Sequence, residues 1–531
     1  MSIKLLDCTL RDGGYVNDWL FGHDTITNIF ERLVSSKVDV IEIGFLDERR
    51  SFDINRSIMP DTASVEKIYG RLKRGDAMIV GMIDYGTCGI EHLQPASESY
   101  LDGIRVIFKK EIMHEAFDFC KRVRDLGYKV FAQAVSITSY NEDELLEFIG
   151  LANGVKPYGV SIVDTYGLLH QNDLNHVVQV MDKYLDPTIV LGYHAHNNFQ
   201  MGYANAISVL NSGCQRDLLV DGTLYGMGKS AGNAPLELLG MYMNSHCDRE
   251  YDISQMLEAI QSSILDIYKK TSWGYNMFFY IAASNKVHPS YVSYLMNKRT
   301  LSITAINEIL QQIGESKKLL YDAKYIEELY FNYQKSECDD TATLAELSGE
   351  LTGKEVLVFG PGTSVVKSEG RIKAYIEGKK PTILSINYIP GYVKPDYLFL
   401  TNARRYVQLA SRLTELENRK IPIVATSNVT HTNGLFAYEL NYSALIDEQA
   451  EFPDNSLIML FKLFMKIGVK QVALVGFDGY TPDTVNYFDR NMEYSFVKEK
   501  ADSLNAYGKN FITQNKEAIQ VEFVTQSHYC D

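Results

Sequence analysis

His194 and His196 stand one residue apart at the end of the apolar, β-branched run Thr188-Ile189-Val190-Leu191. Side chains alternate faces along a strand, so two histidines at i and i+2 project the same way. Two neutral imidazoles side by side can hold one metal ion, and a strand is a stiffer platform for them than a loop. A polar strand end facing solvent has the same spacing, so the pair gains meaning only from what accompanies it. A second chemical signal lies far away in Phe359-Gly360-Pro361-Gly362-Thr363-Ser364, an apolar run entering a glycine-rich turn. Backbone N–H groups of such a turn, with the N-terminus of a following helix, can bind a phosphate. The pattern lacks a third glycine, and the next strand ends in Asn387 rather than an acidic residue, which disfavours a nicotinamide dinucleotide; a plain tight turn is the alternative.

The elements that position the histidines are short apolar runs alternating with helical patterns from Met1 to about Met243. The runs are Ile3 to Leu10, Val38 to Phe45, Ala77 to Ile83, Gly103 to Phe108, Lys129 to Ser136, Gly159 to Thr165, Ile189 to His196 and Leu218 to Leu224. Helical segments Asp24 to Ser35, His114 to Leu126, Glu142 to Leu151, Asp173 to Leu185 and Met201 to Leu210 lie between most of them. Eight strands alternating with helices predict an α/β fold, a parallel (β/α)8 TIM barrel; a doubly wound open sheet is the competing reading. In a barrel the strand C-termini open onto one face, where polar residues converge. Those residues are Arg11 and Asp12 after the first strand, Glu42 in the second, Asp84 ending the third, Arg105 in the fourth, Asp164 ending the sixth, and the two histidines on the seventh. Arg11 and Asp12 could equally be a solvated Asp-Gly-Gly turn, and Glu42 with Arg105 a buried pair satisfying each other.

At 531 residues the chain should hold about two or three domains. A formal charge of -15 argues against a nucleic-acid groove or an anionic membrane surface. The sequence shows no signal-peptide pattern and no window of about 20 apolar residues, which places it in the cytoplasm with no membrane span. Seven scattered cysteines without a C-x-x-C pair indicate reduced packing residues rather than disulfides or a zinc knuckle. The expected organisation is a barrel over 1–270, an aromatic-rich helical lid or association region and linker over 271–348, and a Rossmann-like, nucleotide-binding α/β domain over 349–531. In that last domain strands are expected at Lys354 to Phe359, Pro381 to Ile386, Tyr397 to Thr401, Ile421 to Thr426, Gln471 to Gly476 and Val521 to Val524, with the polar stretch Asp339 to Gly353 as the linker.

Three ordered motifs carry a family resemblance. Leu6-Asp-Cys-Thr-Leu-Arg-Asp-Gly-Gly14, His194-Ala-His196-Asn-Asn198, and Asp221-Gly-Thr-Leu-Tyr-Gly-Met-Gly-Lys-Ser-Ala-Gly-Asn233-Ala-Pro-Leu-Glu237 resemble the signatures of the DRE-TIM metallolyase superfamily, with its HMG-CoA lyase-like barrel. The third motif and Gly202-x-Ala204-Asn205 look most like 4-hydroxy-2-oxovalerate aldolases. The resemblance covers about the first 245 residues. It implies that Asp12, His194 and His196 ligate one Mn2+ or Mg2+, with Asn233 as a further or outer ligand, and that Arg11 faces the developing oxyanion. Glu42, Arg105, Asp164 and Tyr275 are then the expected substrate contacts. Those aldolases carry a histidine base three residues after the metal-binding aspartate, where this chain has Tyr15. A phenol with a pKa near 10 is a poor base at neutral pH, so either a metal-bound water replaces it, Tyr15 acts through a water, or the reaction differs.

The C-terminal segments Val358 to Ser364, Ser385-Ile-Asn387 and Lys466 to Tyr480 are more faintly similar to bacterial sialyltransferase-like Rossmann domains, which bind a cytidine nucleotide. That likeness implies a nucleotide pocket at Gly360, Gly362, Ser364, Asn387 and Asp478. The combined expectation is a class II, metal-dependent aldolase joining pyruvate to a short aldehyde such as acetaldehyde, feeding surface-glycan building blocks. It would be a homo-oligomer, with an aldehyde-producing dehydrogenase as a candidate partner. The alternatives are a Claisen condensation of an acyl-CoA with a 2-oxoacid, and a non-catalytic barrel scaffolding a nucleotide-binding or glycosyltransferase-like domain.

Overall fold

The computed structural model describes every residue except 1, 299, 319–320, 336–337, 410–420, 431–435, 448, 490–491, 493–494 and 531. The chain divides into two compact units, Met1–Lys286 and Val287–Asp531.

In the first unit the apolar runs become strands β1 (Ile3–Asp7), β2 (Val40–Leu46), β3 (Met78–Asp84), β4 (Gly103–Phe108), β5 (Lys129–Ala134), β6 (Gly159–Asp164), β7 (Val190–Ala195) and β8 (Leu218–Gly222). All neighbours pair in parallel, and β1 bonds both β8 and β2, so the sheet closes into a barrel. A closed ring leaves no strand edge exposed. Helices His23–Ser35, Met113–Asp125, Glu142–Val155, Gln171–Tyr184 and Gly202–Leu210 lie within a few residues of their expected bounds; Thr62–Tyr69 and Leu236–His246 are additional. Each lays an apolar stripe on the sheet, as with Ile26, Ile29, Phe30 and Leu33 of the first. Between β3 and β4 only two 3-10 turns occur, at Ile90–His92 and Ala96–Glu98.

Leu6, Val40, Val80, Phe131, Val190 and Leu219 fill one layer of the barrel interior. Barrel interiors are usually completed by further branched apolar residues. Here Glu42, Arg105, Gln133, Ser161 and Asp221 follow, each no more than 2% exposed. Desolvating a layer of charge is costly unless each group is paired, and this layer lies directly behind the polar residues of the barrel mouth.

The second unit begins with helices Pro289–Lys298, Ile303–Gln311, Ala323–Gln334 and Thr341–Leu351. The last occupies the stretch expected to be a linker, and its Leu347 and Leu351 are buried in the core of this unit. Of the expected lid, residues 271–286 fall in the first unit and the remainder in the second. A parallel sheet follows, with β9 (Val356–Phe359), β10 (Thr382–Ile386), β11 (Tyr397–Leu400), β12 (Ile423–Thr426), β13 (Tyr438–Leu440), β14 (Gln471–Val475) and β15 (Gln520–Phe523). The spatial order is β13-β12-β11-β10-β9-β14-β15. Strand order therefore reverses at β9, which pairs with β10 on one side and β14 on the other.

Candidate metal centre

The loop leaving β1 is fixed by its own polar residues. Asp7 accepts the Thr9 N–H and hydroxyl at 3.0 and 2.6 Å, and the Thr9 oxygen receives the N–H of Leu224 at 2.8 Å, tying this loop to the one after β8. The Ser57 hydroxyl donates to the Leu10 carbonyl at 2.6 Å, and the Trp19 indole N–H to the Arg11 carbonyl at 2.7 Å. Arg11 and Asp12 are thus held with their side chains inside the mouth, at 5% and 1% exposure.

Asp12 is the hub. Its Oδ2 accepts from Arg11 Nη1 at 2.5 Å and lies 3.5 Å from His194 Nε2 and 3.9 Å from His196 Nε2; its Oδ1 accepts from Asn233 Nδ2 at 2.9 Å. One ligand atom each from Asp12, His194 and His196 fall within 4.8 Å of one another. One aspartate and two histidines from β1 and β7 therefore reach a common point. Burial alone would raise the Asp12 carboxyl, but the Arg11 guanidinium and the two imidazoles hold it well below the usual range, so it is an anion.

The two histidines differ. Nδ1 of His194 is 3.1 Å from Asp221 Oδ2, which orients the ring with Nε2 toward Asp12. Burial disfavours its charged form, yet Asp12 and Asp221 outweigh that and raise it above the ordinary value. His196 is pushed down to about 4 by burial, partly offset by Asp12, and is neutral. Its Nδ1 and the Asn233 Oδ1 are buried without a hydrogen-bond partner.

Behind them runs a salt-bridge chain. Arg11 Nε donates to Glu42 Oε2 at 2.7 Å, Arg105 Nη1 lies 3.2 Å from the same oxygen, and Arg105 Nη2 donates to Asp221 Oδ2 at 2.5 Å. Two guanidinium groups face three carboxylates: Glu42, Asp12 and Asp221. The excess negative charge is met by a proton on His194 or by a cation held between Asp12 and the histidines. The donor set, a carboxylate oxygen with two imidazole nitrogens and an unpartnered amide oxygen alongside, suits a divalent ion. Gly228 packs against this set so closely that a Cβ would lie 2.1 Å from Asn233 Nδ2 and 2.8 Å from Asp12 Oδ1. A side chain there has room only if Asn233 or Asp12 shifts.

Among the other expected site residues, Glu42 and Arg105 are fully buried and pair with each other, Arg105 Nη1 lying 3.2 Å from Glu42 Oε2. Asp164 is buried, each carboxylate oxygen accepting at 3.0 Å from the N–H of Leu168 or Leu169. Tyr275 is 61% exposed on the segment before helix Met277–Ser284, while its neighbour Trp273 donates to the Tyr225 carbonyl at 2.9 Å. Tyr15 packs edge-on against Trp19 and Phe45, with the Lys229 ammonium 5.5 Å from its ring centre. Although Tyr15 is 42% exposed, burial of its phenol and the Asp12 charge push it up to about 12. Asp221, missing from the expected site, is the partner of both His194 and Arg105; a lone aspartate in the apolar run Leu218 to Leu224 was its signal.

Among the described residues, two other clusters have metal-ligand residue types. Cys8, His194 and Asp221 share His194, and burial raises the Cys8 thiol well above its usual range, which keeps it protonated. Glu48, Glu91 and His92 form a solvent-facing group.

In the second unit the glycine-rich turn is occupied by the protein itself. Gly360 N and Gly362 N donate to the carbonyls of Val475 and Gly476 at 2.7 and 2.8 Å. Asp478 accepts the Ser364 N–H at 2.8 Å, the Thr363 hydroxyl at 3.2 Å and the Ser364 hydroxyl. Asn387 is bonded to Thr401 and to the Ser456 hydroxyl. Gly362, Asn387 and Asp478 line a cavity; Gly360 and Ser364 are not part of its lining.

Residues 2–262 match the HMGL-like family. An oxaloacetate decarboxylase of Mycobacterium tuberculosis is 27% identical over 267 residues, covering 49% of this chain and 76% of that protein. A 2-isopropylmalate synthase of Sulfolobus acidocaldarius is 26% identical, covering 44% of this chain and 60% of its own length. A 4-hydroxy-2-oxovalerate aldolase of Roseiflexus sp. is 27% identical over 246 residues, covering 45% of this chain and 70% of that protein. Among solved structures, an HMG-CoA lyase from Pseudomonas aeruginosa aligns with TM-score 0.43 at 16% identity, over 51% of this chain and 94% of its own. No helix among the described residues is long and apolar enough to cross a membrane.

Proposed function

We propose, from the HMGL-like match of the barrel, that the first unit is a divalent-metal-dependent aldolase acting on a 4-hydroxy-2-oxoacid, with pyruvate and a short aldehyde as the other side of the reaction. The observation that carries this reading is the meeting of Asp12, His194 and His196 within 4.8 Å at the barrel mouth. The relatives named as aldolase, decarboxylase and isopropylmalate synthase all act on carbon–carbon bonds beside an oxo or carboxyl group. Such reactions share one need, a sink for the electron pair of that bond.

Asp12, His194 and His196 would hold Mn2+ or Mg2+, with Asn233 beside them. When bound, the ion supplies Lewis acidity at the 2-oxo group. The protein's own residues do the rest. Arg11 is held by Glu42 and Asp12 through Nε and Nη1, which leaves Nη2 for a substrate oxygen that gains charge as the C3–C4 bond breaks. Glu42, Arg105 and Asp221 keep that guanidinium and the His194 ring from reorienting. Tyr15, with its phenol at about 12, stays protonated at neutral pH, which favours a role as donor over one as base.

Pyruvate incubated with the protein and Mn2+ in D2O tests the proposal. Metal-dependent loss of the methyl proton signal is expected. No loss, with or without acetaldehyde, contradicts it. A Claisen-type reaction, the reading closest to the isopropylmalate synthase relatives, would instead release free thiol from acetyl-CoA in the presence of a 2-oxoacid.

A further inference from the structure

The second unit holds a cavity of about 170 Å³ at the C-terminal ends of its central strands, reached by Ile386 at the end of β10 and Asn387 after it, Thr401 and Asn402 after β11, and Gly476 to Asp478 after β14. This is the point where strand order reverses, the place at which open parallel sheets bind ligands. In such folds a ligand's phosphate usually rests on the glycine-rich turn and the helix behind it. Here that position is closed. The Gly360, Gly362 and Ser364 N–H groups are spent on Val475, Gly476 and Asp478, and a Cβ at Gly362 would meet the Asp478 carboxyl carbon at 2.6 Å. A fixed carboxylate sits where an anion would go, and a second anion beside it would be repelled.

The lining's positive charge lies elsewhere, on Lys298 and Arg405. Lys298 ends helix Pro289–Lys298 and stands 5.0, 5.0 and 5.6 Å from the ring centres of Tyr294, Tyr330 and Phe331, with Glu327 no nearer than 3.9 Å. Arg405 is 5% exposed and positioned by Gln408 and the Met492 carbonyl. The remaining lining holds a second carboxylate, Asp454, which accepts from the Tyr330 hydroxyl at 3.0 Å, and side-chain amides, Asn402, Asn455 and Asn486 among them, with the rings of Phe452, Phe477 and Tyr480. An amide both donates and accepts, which matches a hydroxyl, while aromatic faces cover a ring.

We propose that this cavity binds a hydroxylated ring bearing one anionic group, and that the anion is held on the Lys298 and Arg405 wall rather than on the glycine-rich turn. Two sources share that chemistry, a nucleoside monophosphate and a sugar carboxylate. The site is independent of the barrel's proposed reaction.

The test is calorimetric titration of the full-length protein with the four ribonucleoside monophosphates, with glucuronate and galacturonate, and with the uncharged nucleosides and hexoses. Binding is expected from one anionic series and to be weaker for its uncharged counterpart. Lys298→Met, which keeps the stem over the three rings, is expected to weaken it about tenfold or more, and Lys298→Arg to retain it. Absence of binding by both series, equal binding of uncharged ligands, or insensitivity to Lys298→Met in a variant with unchanged melting would each overturn the proposal.

Discussion

Replacing Glu42 by glutamine should destabilise the first unit by about 3–5 kcal/mol, the range seen when one partner of a buried ion pair is removed. Glu42 is fully buried, and a single oxygen, Oε2, takes Arg11 Nε at 2.7 Å and Arg105 Nη1 at 3.2 Å. Each attraction is worth about 4 kcal/mol at roughly 4 Å between charge centres in a medium of effective dielectric near 20. Losing both is partly offset by the several kcal/mol that no longer has to be spent desolvating the carboxylate. The protein has two tryptophans, Trp19 and Trp273, and both belong to the first unit, so urea denaturation followed by tryptophan fluorescence reports that unit alone. A loss under about 1 kcal/mol, the range of surface ion pairs, would refute the view that the charged layer is a tightly coupled support for Arg11.

Arg11→Ala should retain metal yet slow metal-dependent exchange of pyruvate protons by about 100-fold or more, measured by proton NMR. Gly228→Ala should displace Asn233 or Asp12, because its Cβ has no room beside them, and a weaker Mn2+ affinity by titration calorimetry is the expected sign. Burial, opposed by the Thr9 hydrogen bonds, pushes the Asp7 carboxyl from 3.8 up to about 7. The folded state thus favours its protonated form, so the contribution of this carboxyl to stability is fullest below about pH 4 and is lost as pH rises to about 7, by about 4 kcal/mol for three pKa units. Asp7→Asn should abolish that part of the decline in the urea midpoint between about pH 4 and 7; an unaltered slope would count against it.

The barrel was legible because its strands are short, mostly apolar runs alternating with helical patterns, and those were read to within a few residues, as at Gly103–Phe108. The closed ring also brings Asp12 to the histidines, although 182 positions separate Asp12 from His194. Roles set by hydrogen bonding were harder to see. Asp164, at a strand end like Asp12, spends its carboxylate on the turn that follows, and nothing in its residue type distinguishes the two. Glu42 and Arg105 carry charge in apolar strands, a pattern that fits a substrate contact as well as a buried pair, and only the fold decides between them. Helix Thr341–Leu351 escaped notice because just Leu347 and Leu351 are buried along a polar stretch. The glycine-rich turn after β9 was read correctly as a turn, but Asp478, more than 100 residues later, fills it.

Titration of the metal-free protein with Mn2+, with free Mn2+ followed by electron paramagnetic resonance, tests the central claim most directly. One tight site per chain is expected, lost in Asp12→Asn and in His196→Ala and retained in Lys298→Met. A site unchanged by both barrel substitutions, or no tight site in a folded wild-type protein, would contradict it.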